Sequence, residues 1–144
     1  MSFKTITTSL EDTRSLRERF KLKLNPFFVY RYDSEKNVYV FIRLGVDYDR
    51  PGEFFLVWDD MVCEMYAYPT ERFPIANGKP EIIYRITGIS VPKNFNKDED
   101  MLIDILEQAF DDFRCTINDD IYIFKIIIDR QQLKENIRLS PNQQ

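Results

Sequence analysis

The segment DEDMLIDILEQAFDDFR, residues 98–114, places a strong condition on how the rest of this chain must fold. On a helical wheel its apolar residues form a single face, and that face needs a second apolar surface to cover it. The face comprises Leu102, Ile105, Leu106, Ala109, Phe110 and Phe113. The segment therefore predicts an amphipathic helix that packs on the remainder of the domain, with residues 96–99 as a capping box at its start.

The same segment carries seven carboxylates and no base before Arg114. Four of them fall in one stripe opposite the apolar face: Asp100, Asp104, Glu107 and Asp111. Carboxylates four residues apart on a helix repel by roughly 0.2–0.5 kcal/mol per pair, so a helix that only had to be soluble would include lysines. We interpret the stripe as a docking surface for a basic partner, or as a solvated face paired with cations elsewhere in the fold, such as a basic N-terminal helix.

Outward from this helix, the periodicity of apolar residues predicts the other elements. Strands are expected over residues 27–32, 38–44, 53–58, 61–68 and 81–91, with a hairpin turn over 34–37. Pro69 is expected to end the fourth strand, and Gly88 to mark a bulge. After a loop over 116–120, the run IYIFKIII (residues 121–128) is expected to be a central strand covered on both faces. An apolar stripe predicts a helix over residues 9–21.

This order of elements predicts the α+β class. We expect a single domain over residues 1–139, in which an N-terminal helix and the acidic helix pack on a mostly antiparallel sheet of about five or six strands. Residues 140–144 are expected to be a frayed tail. Cys63 and Cys115 are expected to be free, mostly buried thiols in a reducing cytosol. The chain has no signal sequence and no run of about 18 apolar residues, so we expect a cytoplasmic protein without a membrane partner.

The net charge of −4 is concentrated, because residues 98–120 hold nine acids and one base. An acidic chain is unfavourable for nucleic-acid binding, and no nucleic-acid partner is expected. The aromatic residues of the predicted strands could in principle stack bases, but only Arg31 and Arg43 are interleaved with them. Core packing explains these rings better, and Tyr66 and Tyr68 are candidates to anchor a protein interface.

The chain contains no histidine, which removes the usual general base and the commonest metal ligand. We therefore expect no enzyme, and we assign no catalytic residue, no cofactor and no metal. Asp59 and Asp60 follow a predicted strand and could hold a hard cation such as Mg²⁺. Their spacing fits no cation-binding loop, so a simple turn is the preferred interpretation. A carboxylate-based metal hydrolase is the third of our hypotheses.

The leading hypothesis is a small acidic protein-binding module, most concretely a bacterial immunity or antitoxin-type inhibitor. It would dock a basic protein partner, such as a toxin nuclease, through carboxylates that occupy a positive site meant for phosphate. The candidate partner-binding residues are Asp100, Asp104, Glu107, Asp111, Asp59 and Asp60. The alternative is a self-associating structural or accessory protein, such as a phage or assembly component, with no catalytic activity.

Overall fold

The structure of the protein, a computed structural model, describes residues 3–7, 15–16, 18–21, 29–43, 52–76, 79–117 and 120–140. Side chains are described for residues 3, 15–16, 18–21, 31–42, 54–68, 83–114 and 125–140. The elements in chain order are β1 (Lys4–Thr7), β2 (Val29–Asp33), β3 (Val38–Arg43), β4 (Gly52–Trp58), β5 (Met61–Ala76), β6 (Lys79–Val91), α1 (Glu99–Phe110), β7 (Phe113–Ile117), β8 (Asp120–Ile128), α2 (Arg130–Glu135) and β9 (Ile137–Leu139). Residues 15–16 and 18–20 are also helical and form the N-terminal helical segment.

The described strands belong to one sheet, in the order β1-β2-β3-β4-β5-β6-β8-β7, with β9 paired to β6. The pairings of β6 with β8 and β9 are parallel, and the others are antiparallel. The predicted α+β class with a mostly antiparallel sheet is therefore confirmed. The sheet has more strands than predicted, because β1, β7 and β9 were not recognised in the sequence. β1 and β7 stand at opposite ends of this order but lie close together, so the sheet is curled.

The main core lies between α1 and one face of the sheet. The buried residues of α1 are Leu102, Ile103, Ile105, Leu106, Ala109 and Phe110. They pack with sheet residues that are fully buried, including Phe54, Tyr84 and Ile89. Because this apolar surface excludes water on both sides, it is the main source of the stability of the fold.

A smaller core lies on the opposite face of the sheet. Phe20 of the N-terminal helical segment contacts Phe41 and Val57, with Leu16 packed beside them. Phe41 directly follows Val40, which belongs to the main core, and successive residues of a strand point to opposite faces. Leu16 and Phe20 stand four residues apart, so the two share one side of the helix that the sequence predicts over residues 9–21. Residues 9–14 and 17 of that predicted helix lie outside the described residues.

Two local predictions, the hairpin turn and the bulge, are confirmed. Residues 34–37 connect β2 and β3, and the buried carboxylate of Asp33 accepts the backbone N–H of Glu35 at 3.0 Å. The bulge lies at Gly88, because Tyr66 pairs with Gly88 whereas Ala67 pairs with Ile86. A Cβ atom on Gly88 would lie 3.2 Å from the carbonyl oxygen of Asn136, so this close approach favours glycine.

The prediction that Pro69 ends the fourth strand is wrong, since β5 continues to Ala76. Pro69 pairs with Tyr84 and Glu71 pairs with Ile83, so one extra residue of β5 is accommodated there. Proline has no N–H to donate to a neighbouring strand, and it is tolerated at such an irregularity. The strand therefore bulges past the proline and stays in the sheet.

Three expectations near the C-terminal end are also corrected. α1 ends at Phe110, its N-cap is Asp98 and not Asn96, and Phe113 and Arg114 belong to β7. The predicted loop over 116–120 is mostly strand, because β7 runs to residue 117 and β8 starts at residue 120. β8 does lie between β6 and β7, but Lys125 and Ile127 are exposed, so it is not covered on both faces.

The described parts of the chain contain no helix with the length and apolarity needed to cross a membrane. Cys63 is free and fully buried, and burial raises the pKa of its thiol to about 12. The side chain of Cys115 lies outside the description. Of the predicted tail, Ser140 donates its N–H to the carbonyl of Val91 at 2.8 Å, and residues 141–144 lie outside the described residues.

Candidate functional site

α1 begins at a side-chain cap that the sequence placed two residues too early. The carboxylate of Asp98 accepts the backbone N–H groups of Asp100 at 3.1 Å and Met101 at 3.3 Å. These N–H groups have no partner within the helix, so an acidic N-cap satisfies them and also meets the positive end of the helix dipole. The cap fixes where α1 starts and therefore which residues face solvent.

The predicted stripe exists on the solvent-facing side of α1. The side chains of Asp100, Asp104 and Glu107 are 60%, 58% and 44% exposed. Asp111 is exposed as well, but it is the C-cap of α1 and has an extended backbone. The helix therefore aligns three of the four predicted carboxylates, and the fourth lies just beyond its end.

Two cations from α2 lie against this stripe. Nη1 of Arg130 is 2.9 Å from Oδ1 of Asp104 and also contacts Oε1 of Glu107, and Nη2 is 3.9 Å from Oδ1 of Asp100. Nζ of Lys134 is 3.1 Å from the same oxygen of Asp100. The hydrogen bond from Arg130 to Asp104 is the main reason that the pKa of Arg130 is raised. We name this cluster, Asp100, Asp104, Glu107, Arg130 and Lys134, the carboxylate–arginine cluster.

α2 is held in place by its own local contacts. Leu133 is fully buried in the main core, and Asp129 caps the helix by accepting the N–H of Gln132 at 3.1 Å. Arg130 and Lys134 stand four residues apart, so both point to the same side of α2. Their spacing matches that of Asp100 and Asp104 on α1. This match was present in the sequence, but nothing there indicated that the two helices would lie side by side.

The second predicted group, Asp59 and Asp60, forms the tight turn between β4 and β5. Both residues have left-handed backbones, with φ of 49° and 65°. Asp and Asn tolerate this conformation better than most other residues. Their identity is therefore explained by the turn.

Each of these two carboxylates also has a cationic partner. Asp59 pairs with Nζ of Lys97 at 2.6 Å, and Asp60 lies 3.7 Å from Nη2 of Arg19. The hydrogen bond from Lys97 is the main cause that lowers the pKa of Asp59. Nζ of Lys97 also lies 4.9 Å from the ring centroid of Trp58. Among the described residues no three Asp, Glu, Cys or His side chains are grouped as metal ligands would be.

The two acidic groups do meet on one surface. A groove of about 520 Å³ lies between α1 and the neighbouring turns, and Asp59 and Asp104 both line it. Lys36 and Lys97 contribute positive charge, and Met101 of α1, 51% exposed, supplies apolar surface. The groove therefore joins both sets of predicted residues through a surface of mixed charge.

A second groove of about 800 Å³ lies at the C-terminal end of α1. Its acidic wall comprises Glu107, Asp111 and Asp112, and the facing wall is formed by residues 125–128 of β8. Asp112 pairs with Nε of Arg114 at 3.0 Å. The carboxylates of the stripe thus border two open grooves, one on each side of the carboxylate–arginine cluster.

Sequence reasoning missed the role of Arg31, which it noted as one of two bases interleaved with the aromatic residues of the strands. Arg31 is 8% exposed and extends from β2 to the C-terminal end of α1. It donates to the carbonyl oxygens of Ala109 and, at 3.1 Å, Asp111, as well as to that of Phe3 at 3.4 Å. Burial is the main cause that lowers the pKa of Arg31. No local signal marks this residue, because its partners are backbone groups distant in sequence.

Comparison with protein-family models, with characterised proteins and with solved structures gave no match.

Proposed function

We propose that this chain is a protein-binding module that docks a basic partner through the carboxylates of α1 and has no catalytic role. The most concrete form is a bacterial immunity or antitoxin-type inhibitor of a basic toxin, such as a nuclease. The supporting observation is the exposed carboxylate–arginine cluster, in which Asp104 and Glu107 together bind one guanidinium group. Planar guanidinium groups are the donors that basic proteins present most often to carboxylates and phosphates.

The internal cations leave this surface acidic. Residues 98–112 carry seven carboxylates, against three cations in Arg114, Arg130 and Lys134, a local balance of −4. The pairs of Arg130 are exposed to solvent, and exposed ion pairs contribute little because water screens them and the long side chains must be ordered. Arginines of a partner can therefore replace Arg130 at low cost, or bind Asp111 and Asp112 beside it.

The grooves beside the cluster support a contact larger than a single ion pair. The groove extends the surface from Asp104 on α1 to Asp59 in the β4–β5 turn, and the exposed side chain of Met101 lines it. An exposed apolar residue surrounded by charged ones is typical of the centre of a protein interface. A negative surface of this kind also accelerates association with a basic partner, an effect that salt weakens.

The experiment is affinity capture from source-cell lysate at low and high salt, with identification of retained proteins by mass. Wild type is compared with a variant that removes three charges from α1: Asp104→Asn, Glu107→Gln and Asp111→Asn. A matched control removes three charges elsewhere: Glu18→Gln, Glu64→Gln and Glu135→Gln. We expect one basic protein on wild type and on the control at low salt, and its loss from the α1 variant. Equal retention on all three proteins would reject the proposal.

The second candidate is the self-associating structural or accessory protein. It is favoured by the exposure of two aromatic rings on one sheet face, Tyr66 at 41% and Tyr68 at 47%. Burial of apolar surface is not screened by salt, so such association would persist at high ionic strength. Sedimentation of the full chain as a monomer at high salt and high protein concentration would count against this candidate.

The metal-hydrolase hypothesis receives no support from the geometry of Asp59 and Asp60. Each of the two carboxylates lies beside a cation, no third metal-ligand side chain joins them among the described residues, and the turn accounts for both residues. We therefore do not propose it further.

A further inference from the structure

A second surface of the molecule lies on the side of the sheet away from α1. Its residues alternate along β5, β6 and β9 with residues that pack in the main core, such as Met65, Tyr84 and Ile137, and so point to the other face. We call this surface the tyrosine face. Its described members include Glu64, Tyr66, Tyr68, Arg85, Ser90 and Arg138.

The side chain of Tyr66 contacts β6 at Ser90 and Gly88. Its hydroxyl is 2.8 Å from Oγ of Ser90, and its Cδ2 atom is 3.5 Å from the position that a Cβ atom on Gly88 would occupy. The bulge glycine therefore leaves room for one side of the ring, while Tyr66 as a residue stays 41% exposed. A ring fixed in this way loses little conformational entropy when a ligand stacks on it.

Cations from neighbouring strands surround the two tyrosines. Arg85 on β6 pairs in register with Tyr68 on one side and with Ile127 on the other. Arg138 on β9 lines a groove of about 260 Å³ together with Tyr66 and Tyr68. No basic residue is adjacent to these tyrosines along β5. The tyrosines and arginines are brought together only because β5, β6 and β9 lie in one sheet. The described tyrosine face carries two cations, Arg85 and Arg138, and one carboxylate, that of Glu64.

We infer that the tyrosine face binds single-stranded nucleic acid. The rings of Tyr66 and Tyr68 take bases, and Arg85 and Arg138 take phosphates. Tyr66 and Tyr68 are two residues apart on β5, so their rings are about 7 Å apart. This distance is roughly twice the 3.4 Å rise between stacked bases. Each ring can therefore hold its own base only from a strand whose bases are unstacked, which a duplex does not offer.

The negative net charge of the chain does not oppose this inference. The acidic side chains near α1 that approach the sheet, Glu107, Asp111 and Asp112, lie against residues 125–128 of β8. β8 is two strands, or about 10 Å, from the tyrosines of β5, and the Debye length is about 8 Å at physiological ionic strength. Two-fold pairing of tyrosine faces is a weaker explanation, because it would bring the cations of one copy against those of the other. An anionic ligand instead neutralises them.

The test measures anisotropy of a labelled oligothymidylate of about 12 nucleotides, within the range of sites used by single-strand binders. The full chain is titrated at low salt and at about 150 mM salt. Tyr66→Leu and Tyr68→Leu keep apolar area but remove the ring, and each is expected to weaken binding about fivefold or more. Arg85→Gln is expected to reduce the salt dependence by about 0.7 in the log–log slope. Lys36→Gln, which removes a cation beside α1, is the matched control and leaves binding unchanged.

Three outcomes would overturn the inference. The first is no binding of the oligonucleotide at low salt. The second is binding of a duplex or of polyaspartate with the same affinity and no sensitivity to the tyrosine variants. The third is self-association of the wild-type chain that Tyr68→Leu abolishes and that the oligonucleotide does not displace. Because the tyrosine face excludes the α1 carboxylates, none of these outcomes bears on the proposed inhibitor function.

Discussion

Arg31 and Arg130 both place a guanidinium group against α1, but in opposite surroundings. Arg31 is buried and donates to backbone carbonyls at the C-terminal end of the helix. Arg130 is partly exposed and donates to side-chain carboxylates along the solvent-facing stripe. The pKa of Arg31 is lowered by burial, whereas the pKa of Arg130 is raised by its hydrogen bond to Asp104.

The difference separates contacts that hold the fold together from contacts that are free to exchange. A buried guanidinium that loses its acceptors has no water to replace them, so its contacts are costly to break. An exposed guanidinium exchanges a carboxylate for water, or for a carboxylate of another molecule, at little cost. The C-terminal end of α1, where Arg31 binds, is therefore structural, and the stripe that Arg130 contacts is suited to binding a partner.

The largest expected effect comes from detaching the helix that carries Arg130. Leu133→Ala removes the fully buried anchor of α2, and a cavity of this kind typically costs about 3–4 kcal/mol in the free energy of unfolding. Urea denaturation measures the loss. The matched control is Leu139→Ala, which truncates an exposed leucine of β9 and should leave stability nearly unchanged. Equal effects of the two substitutions would show that α2 is not anchored through Leu133.

Replacing the buried arginine should cost almost as much. Arg31→Met keeps the apolar stem but leaves the carbonyls of Ala109 and Asp111 without their donor. We expect a loss of about 3 kcal/mol in the free energy of unfolding, since each unsatisfied buried acceptor costs about 1–3 kcal/mol. Arg31→Lys keeps one charged donor and should fall between wild type and Arg31→Met. A variant as stable as wild type would contradict the structural role of Arg31.

The α+β class followed from the sequence because its strongest signals are periodic. The apolar face of residues 98–114 and the alternation in β2–β4 are repeated patterns, and the structure has a helix and strands there, although Phe113 of the predicted face belongs to β7. The predicted C-terminal ends of two elements, β5 and α1, were wrong. Pro69 did not end β5 because a bulge absorbs its missing N–H, and α1 stopped before Asp111 although the charge pattern continued.

The site was predicted only in part, for a related reason. Exposure of Asp100, Asp104 and Glu107 follows from helical geometry, so the sequence was sufficient for it. Their pairing with Arg130 depends on where α2 docks, and the N-terminal basic helix suggested from the sequence is not the source of these cations. The cations beside Tyr66 and Tyr68 likewise come from other strands. The spacing of residues within one segment does not reveal which distant segment they will contact.

A smaller effect is expected when the exposed arginine is removed. Arg130→Gln combined with Lys134→Gln should shift the urea midpoint much less than Arg31→Met, because the four pairs that these cations form are exposed. The shift should shrink further at about 0.5 M salt, where screening is short-ranged. Arg31→Met should keep its full effect at that salt concentration. A large, salt-insensitive loss from the double substitution would place Arg130 in the same class as Arg31.

The smallest effect concerns the other exposed pair, Asp59 with Lys97. The pKa of Asp59 is lowered in the folded state, so its pairing stabilises the protein above the pKa of an unfolded Asp, about 3.9. That contribution is lost as the pH falls through the folded pKa. Asp59→Asn should therefore be slightly less stable than wild type at about pH 6, and the difference should shrink as the pH falls below the pKa of an unfolded Asp.

Asparagine tolerates the left-handed backbone at residue 59, so the substitution keeps the turn and isolates the charge. Unfolding midpoints across this pH range measure the difference, with Lys97→Gln as the second corner of a double-mutant cycle. In the Lys97→Gln background the effect of Asp59→Asn should lose most of its pH dependence, because the main cause of the lowered pKa is gone and only the hydrogen bond from Asn37 still lowers it. A difference that stays constant from neutral to acid pH would mean that the turn, and not the ion pair, sets the role of Asp59.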